Sequence, residues 1–205
     1  AEVPMTALSL EELGEVLETR FPSIVPVIPR LLTVFGALQP GGLAEATPPV
    51  ARYLGSNPPT ARSLIKWAER VCRRASIDTP AGAAGVTLES VFAEGIDCFC
   101  VSAPNAAVRM ALALELGARL DIPPDQVRYR MERYKPRLEV ANGQVSVGRA
   151  TIPLDLRRAG AAAGSVFAQT AHALCLLERV AAAVEGAEPV LLVGETGTGK
   201  TTVVQ

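Results

Sequence analysis

Apolar positions recur at helical spacing over roughly the first 120 residues and switch to strict alternation only beyond Lys135-Pro136. Ser9-Leu-Glu-Glu12 has the form of a capping box, in which the Ser9 hydroxyl accepts from the amide of Glu12 and the Glu12 carboxylate accepts from the amide of Ser9. It predicts a helix to about residue 19. Ile28, Leu31, Leu32, Phe35 and Leu38 carry the period onward, so a second helix is expected over about 23–38 with prolines in its first turns. Five prolines and three glycines between Gln39 and Thr60 then predict a long surface loop with little regular structure. Thr60 caps the clearest amphipathic segment, where Leu64, Ile65, Trp67, Ala68 and Val71 form the apolar side. Arg62, Lys66, Glu69, Arg70 and Arg73 supply its polar positions. Thr87 starts another helix, and Pro104-Asn105 opens a further one to about residue 120. Five helices in this stretch make a small bundle.

The alternation that follows, Leu138, Val140, Val145 and Val147 around Asn142-Gly143, reads as a two-stranded hairpin with a tight turn. A helix is expected over about 165–184, with Val166, His172-Ala173, Leu176-Leu177 and Val180 near one face. Pro189-Val-Leu-Leu-Val193 is a short continuous apolar run, the pattern of a buried parallel strand. The architecture therefore changes near residue 130, giving two expected domains, 1–130 and 131–205. The fold class is mainly α with a small α/β part.

Composition narrows this reading without redirecting it. The 205 residues are 49% apolar, enough for one good core or two small ones, and only 4% aromatic, which favours helices packed through aliphatic faces. A net charge of −1 provides no global attraction to nucleic acid or an anionic membrane, and neither is expected as a partner. Four cysteines, Cys72, Cys98, Cys100 and Cys175, lack paired C-x-x-C spacing, and one histidine cannot complete a familiar zinc set with them. They read as reduced thiols. No basic-then-apolar leader and no spanning apolar stretch stand in the sequence, which begins without Met, ends inside a motif and has the look of a fragment.

That motif is G-x-x-x-x-G-K-[ST], present as Gly194-Glu195-Thr196-Gly197-Thr198-Gly199-Lys200-Thr201, after a predicted strand. Its glycines let backbone amides turn toward phosphate oxygens where a Cβ would obstruct the turn. Lys200 would reach the β- and γ-phosphates of ATP, the Thr201 hydroxyl would take one Mg²⁺ position, and Thr202 joins the nucleotide-binding set. A P-loop alone does not hydrolyse, because a metal-holding acid, a residue that orients water and a charge-stabilising arginine are also needed. Glu178 and Glu185 lie on the preceding helix and do not end an apolar strand, so the isolated chain is expected to be inactive as an ATPase.

EPVLLVGETGTGKTT, preceded by FAQTAHALCLLERVAAAV and GRATIPL, resembles the start of an AAA+ module in the midasin family, dynein-related ATPases of large-ribosomal-subunit assembly. PMTALSLEELGEVLETRFP and TARSLIKWAERV resemble the helical lid of the module before. The resemblance covers nearly the whole chain, least in 39–59 and 76–86. It implies the lid of one module, taken as the first of six, joined to the β-hairpin, helix, first core strand and P-loop of the next. It also implies a nuclear parent, in nucleolus and nucleoplasm, that uses ATP to release assembly factors from pre-60S particles, with adjacent AAA+ modules of the same chain as partners. Two alternatives stay open: another AAA+ motor such as dynein, or a regulatory module that binds nucleotide without hydrolysing it.

The same resemblance places Arg62 where AAA+ lids carry a sensor-2 arginine that touches the γ-phosphate of its own module's core. Read from the residues alone, Arg62 is an arginine in a first helical turn, opposed to the helix dipole, or a solvated cation beside Lys66 and Glu69. Arg128, Arg130, Arg133, Lys135 and Arg137 offer a contact to RNA or an acidic partner, but Glu132 and Glu139 interrupt them and a solvated joint between domains is the favoured reading. His172 reads as a packed or half-exposed histidine and Trp67 as core.

Overall fold

The computed structural model describes residues 8–43, 48–77, 86–154, 168–195 and 200. The chain forms two compact units, Ala1–Met131 and Glu132–Gln205. The first is helical; the second holds a small antiparallel sheet and a helix.

In the first unit α1 (Leu10–Arg20) begins at the expected capping box: Ser9 Oγ accepts from the Glu12 amide at 3.2 Å and Glu12 Oε2 accepts from the Ser9 amide at 2.7 Å. The hydrogen bond from the Ser9 backbone holds the Glu12 carboxyl below its ordinary pKa. The expected second helix divides. Pro22–Val27 is a 3-10 turn, and the α-helix α2 runs only over Ile28–Ala37. Pro26, which has no N–H to give an α-helical ladder, sits inside that tighter turn.

The long loop expected between Gln39 and Thr60 is corrected by α3 (Pro48–Ser56). Val50 and Leu54, four apart, are 2% and 5% exposed, so one apolar stripe is enough to hold this short helix. Proline is tolerated at its start, where amides lack helical partners in any case. Helix α4 (Ala61–Ile77) follows, its first turn closed by Thr60 and Ser63: the Ser63 hydroxyl accepts from the Thr60 amide at 2.8 Å. Leu64, Trp67, Ala68 and Val71 are fully buried, as the periodicity predicts. Arg70 departs from the expected polar side; it is buried, and so is Arg74.

Helix α5 (Leu88–Gly95) is capped by Thr87, which accepts from the Ser90 amide at 3.2 Å, and widens into a π-turn at Ile96–Cys100. The Val101 amide donates to the carbonyl of Ile96, five residues back. A Cβ at Gly95 would stand 2.9 Å from Leu116 Cδ2 and 3.2 Å from Trp67 Cζ2, so a larger residue there would require these side chains to shift. Helix α6 (Ala106–Arg119) is capped by Asn105 and ends with both the Leu120 and Ile122 amides on the Gly117 carbonyl. A short helix α7 (Pro124–Arg128), continued by a π-turn at Tyr129–Arg133, completes the described helices of this unit.

In the second unit β1 (Leu138–Ala141), β2 (Gln144–Val147) and β3 (Ala150–Pro153) form an antiparallel meander in the order β1-β2-β3. The hairpin turn at Asn142-Gly143 has φ of 51° and 72°, the left-handed pair that a two-residue turn needs. The expected two-stranded hairpin gains β3, with Val145 opposite Ile152 and Val147 opposite Ala150. Helix α8 (Ala171–Glu185) starts at Thr170, whose hydroxyl accepts from the Ala173 amide at 3.1 Å. It begins later than expected; Val166 lies outside the described residues. Its buried face is Leu174, Glu178, Ala181, Ala182 and Ala183, not the stripe through His172, which is exposed. The small alanines admit β2 and β3 close to the helix, where Val147, Ala150, Ala181 and Ala182 form one core.

The apolar run at 189–193 is not a strand here: it has no ladder partner among the described residues, and Leu191 and Val193 are 87% and 86% exposed. A strand exists only as part of a ladder, and the meander supplies none to this segment.

Candidate nucleotide-binding site

Of the glycine-rich motif the described residues are Gly194, Glu195 and Lys200; Thr196, Gly197, Thr198, Gly199, Thr201 and Thr202 lie outside them. Lys200 Nζ donates to the carbonyl of Gly194 at 2.8 Å and to that of Glu195 at 2.6 Å. The ammonium therefore returns to the first two carbonyls of its own motif, and the two ends of the loop are brought together. Lys200 thus places a cation beside the start of its own motif, at Gly194 and Glu195.

Arg62 stands in the other unit, exposed on the first turn of α4, and makes no hydrogen bond or ion pair that involves the described residues. Lys66 and Glu69 are also exposed, on the following turns of the helix. A cleft of about 340 Å³ opens nearby in sequence, lined by Tyr53, Asn57, Thr60, Ser63, Cys98 and Ser102 above an apolar floor. No charged side chain among the described residues lines it. Burial pushes the Cys98 thiol up to about 12, and the opposing pull of Arg70 is countered by Asp97 and Glu94.

Four buried polar groups among the described residues escaped the sequence reading. Glu178, 2% exposed, accepts from the Tyr134 hydroxyl at 2.9 Å and the Arg149 amide at 3.0 Å, and pairs with the Arg149 guanidinium at 3.3 Å. Gly148, with φ of 53°, lies so close that a Cβ there would overlap this carboxylate. Arg70, Arg74 and Glu94 are the other three, both guanidinium groups directed at the Glu94 carboxylate. Charged residues on a helix read as solvated, and no local pattern marks the exceptions. In the basic stretch Arg128 pairs with Asp125 at 3.4 Å and Arg137 with Glu139 at 2.7 Å. No group of three or more histidines, cysteines or carboxylates among the described residues could hold a metal, and no described helix is long and apolar enough to cross a membrane.

A helical bundle of this kind, with a P-loop motif downstream in the chain, defines a class, the lid region of an AAA+ ATPase. The profile of the midasin AAA lid domain matches residues 12–123, more than half of the chain, and the chain belongs to that family. Among curated proteins it is similar to midasin of Dictyostelium discoideum, 32% identical over 182 aligned residues that cover 77% of this chain. The chain spans 3% of that relative's length. No solved structure matches.

Proposed function

We propose that residues 1–130 are the lid of one AAA+ module, that 131–205 open the core of the next, and that the P-loop at 194–201 binds ATP with Mg²⁺. The observation that carries this reading is the return of the Lys200 ammonium to the Gly194 and Glu195 carbonyls in a chain whose upstream unit is a midasin-type lid. Bound ATP would bring the phosphates and Mg²⁺ the charge that Lys200 and the Thr201 hydroxyl are suited to hold. Gly194, Gly197 and Gly199 would leave backbone amides free to donate to phosphate oxygens. Arg62, solvent-facing on α4, is proposed as the lid's sensor for the nucleotide of its own module.

The parent protein is proposed to be a nuclear ATPase that remodels pre-60S ribosomal particles and releases their assembly factors. Support comes from membership of the midasin lid family and the similarity to the Dictyostelium protein. Photolabelling of the full-length protein with 8-azido-ATP, followed by peptide mapping, tests the site. Label is expected on the peptide around residues 194–205 and is expected to be lost in Lys200→Ala. Equal labelling in the variant would reject the site.

A further inference from the structure

The helical unit buries four ionised side chains where an apolar seam would have packed. Glu94, in the last turn of α5, pairs with Arg70 Nη1 at 3.4 Å and with Arg74 Nε at 3.3 Å. Arg70 also faces Asp97, on the π-turn, at 3.6 Å. All four side chains are at most 8% exposed. Two guanidinium groups four residues apart on α4 thus meet two carboxylates three apart on α5 and its π-turn. Phe99 of the same π-turn meets Trp67 edge-on at 5.2 Å, and Trp67 Nε1 donates to the Val91 carbonyl at 2.9 Å.

Burying ion pairs adds little stability over well-packed apolar residues, whereas leaving one buried charge unpaired is strongly destabilising. A network of this kind therefore acts on specificity: it penalises every arrangement but one. We infer that Arg70, Arg74, Glu94 and Asp97 are a register lock that makes α4, α5 and the π-turn a single rigid lever. Sliding α4 along α5, or turning it about its axis, would carry a guanidinium away from its carboxylate with no water to replace it. An aliphatic seam could slip by a fraction of a turn at small cost; this seam cannot. The first turn of α4, with Arg62 on it, is thereby presented in one direction. The π-turn belongs to the lock, because it carries both Asp97 toward Arg70 and Phe99 toward Trp67. The inference concerns the lid alone and stands whether or not the P-loop binds nucleotide.

The test replaces the four charges together, Arg70→Met, Arg74→Met, Glu94→Leu and Asp97→Leu, in the full chain, and reads both melting and amide exchange. The lock predicts a variant that still melts cooperatively, with exchange across α4 and α5 faster by about tenfold or more, because stability survives and uniqueness does not. Unchanged exchange in a folded variant would overturn it, showing that apolar packing alone sets the register. Should the fourfold variant not fold, a double-mutant cycle of Arg74→Met and Glu94→Gln decides. The change in the unfolding constant for the pair is expected to fall short of the product of the single changes by about tenfold. Effects that simply multiply would overturn the lock as well.

Discussion

Glu178 shows how one side chain can organise a small sheet. Its carboxylate receives the Tyr134 hydroxyl, the Arg149 amide and the Arg149 guanidinium, so it ties the approach to β1 and the turn between β2 and β3 onto α8. Glu178→Ala would remove the acceptor of the Tyr134 hydroxyl and the Arg149 amide at a buried position. We expect a loss of about 3 kcal/mol, read by urea unfolding followed at the amides of β2 and β3. A loss under about 0.5 kcal/mol would show that solvent reaches the site freely. Cys98 gives a second expectation at this scale. With its pKa raised to about 12 by burial, the thiol stays protonated at pH 8, where about one molecule in ten thousand carries the thiolate. Alkylation by iodoacetamide at Cys98, which is half-buried at the cleft, should run well below the rate at a solvated thiol, and an equal rate would contradict the raised pKa.

Among the elements, legibility followed the distance over which each is determined. The caps at Ser9, Thr87 and Asn105 were readable because each side chain bonds an amide three residues on, and the structure shows all three. Helix α3 was not, because prolines at both ends of its segment imitate a loop while Val50 and Leu54 find their burial in partners far along the chain. We expect Leu54→Ala to cost about 2–4 kcal/mol, measured by thermal or denaturant unfolding; a loop residue at that position would cost close to nothing. The run at 189–193 failed in the opposite sense. Apolarity marks what a segment would bury, but a ladder needs neighbours, and Leu191 stands 87% exposed with no ladder partner among the described residues. Arg70 and Glu94 were unreadable for a third reason: they meet across 24 residues, and pairing of that range leaves no local pattern.

Over the whole molecule, the two compact units carry two separate functional readings. The lid family covers the first, while the P-loop motif lies in the second. The motif is a local pattern, glycines, a cation and a hydroxyl at fixed spacing, and of its residues the structure describes Gly194, Glu195 and Lys200. The role proposed for Arg62 depends on a core that the lid would meet, which no spacing within the chain encodes. In the full-length protein Arg62→Ala is expected to lower turnover at the preceding core and leave ATP binding at the Lys200 site unchanged. Damage at both sites alike would show that Arg62 acts through general destabilisation.

The central claim, a magnesium-dependent nucleotide site built on Lys200 and Thr201, is tested most directly by ATP titrations of a chain that carries the complete core around this P-loop. The ammonium of Lys200 acts on phosphate charge itself, whereas the hydroxyl of Thr201 acts through Mg²⁺. Lys200→Ala is expected to weaken ATP binding with Mg²⁺ and with chelator alike, and Thr201→Ala to weaken it only when Mg²⁺ is present. Unaltered affinity in Lys200→Ala, or a Thr201→Ala variant that binds MgATP as the unmodified protein does, would contradict the account.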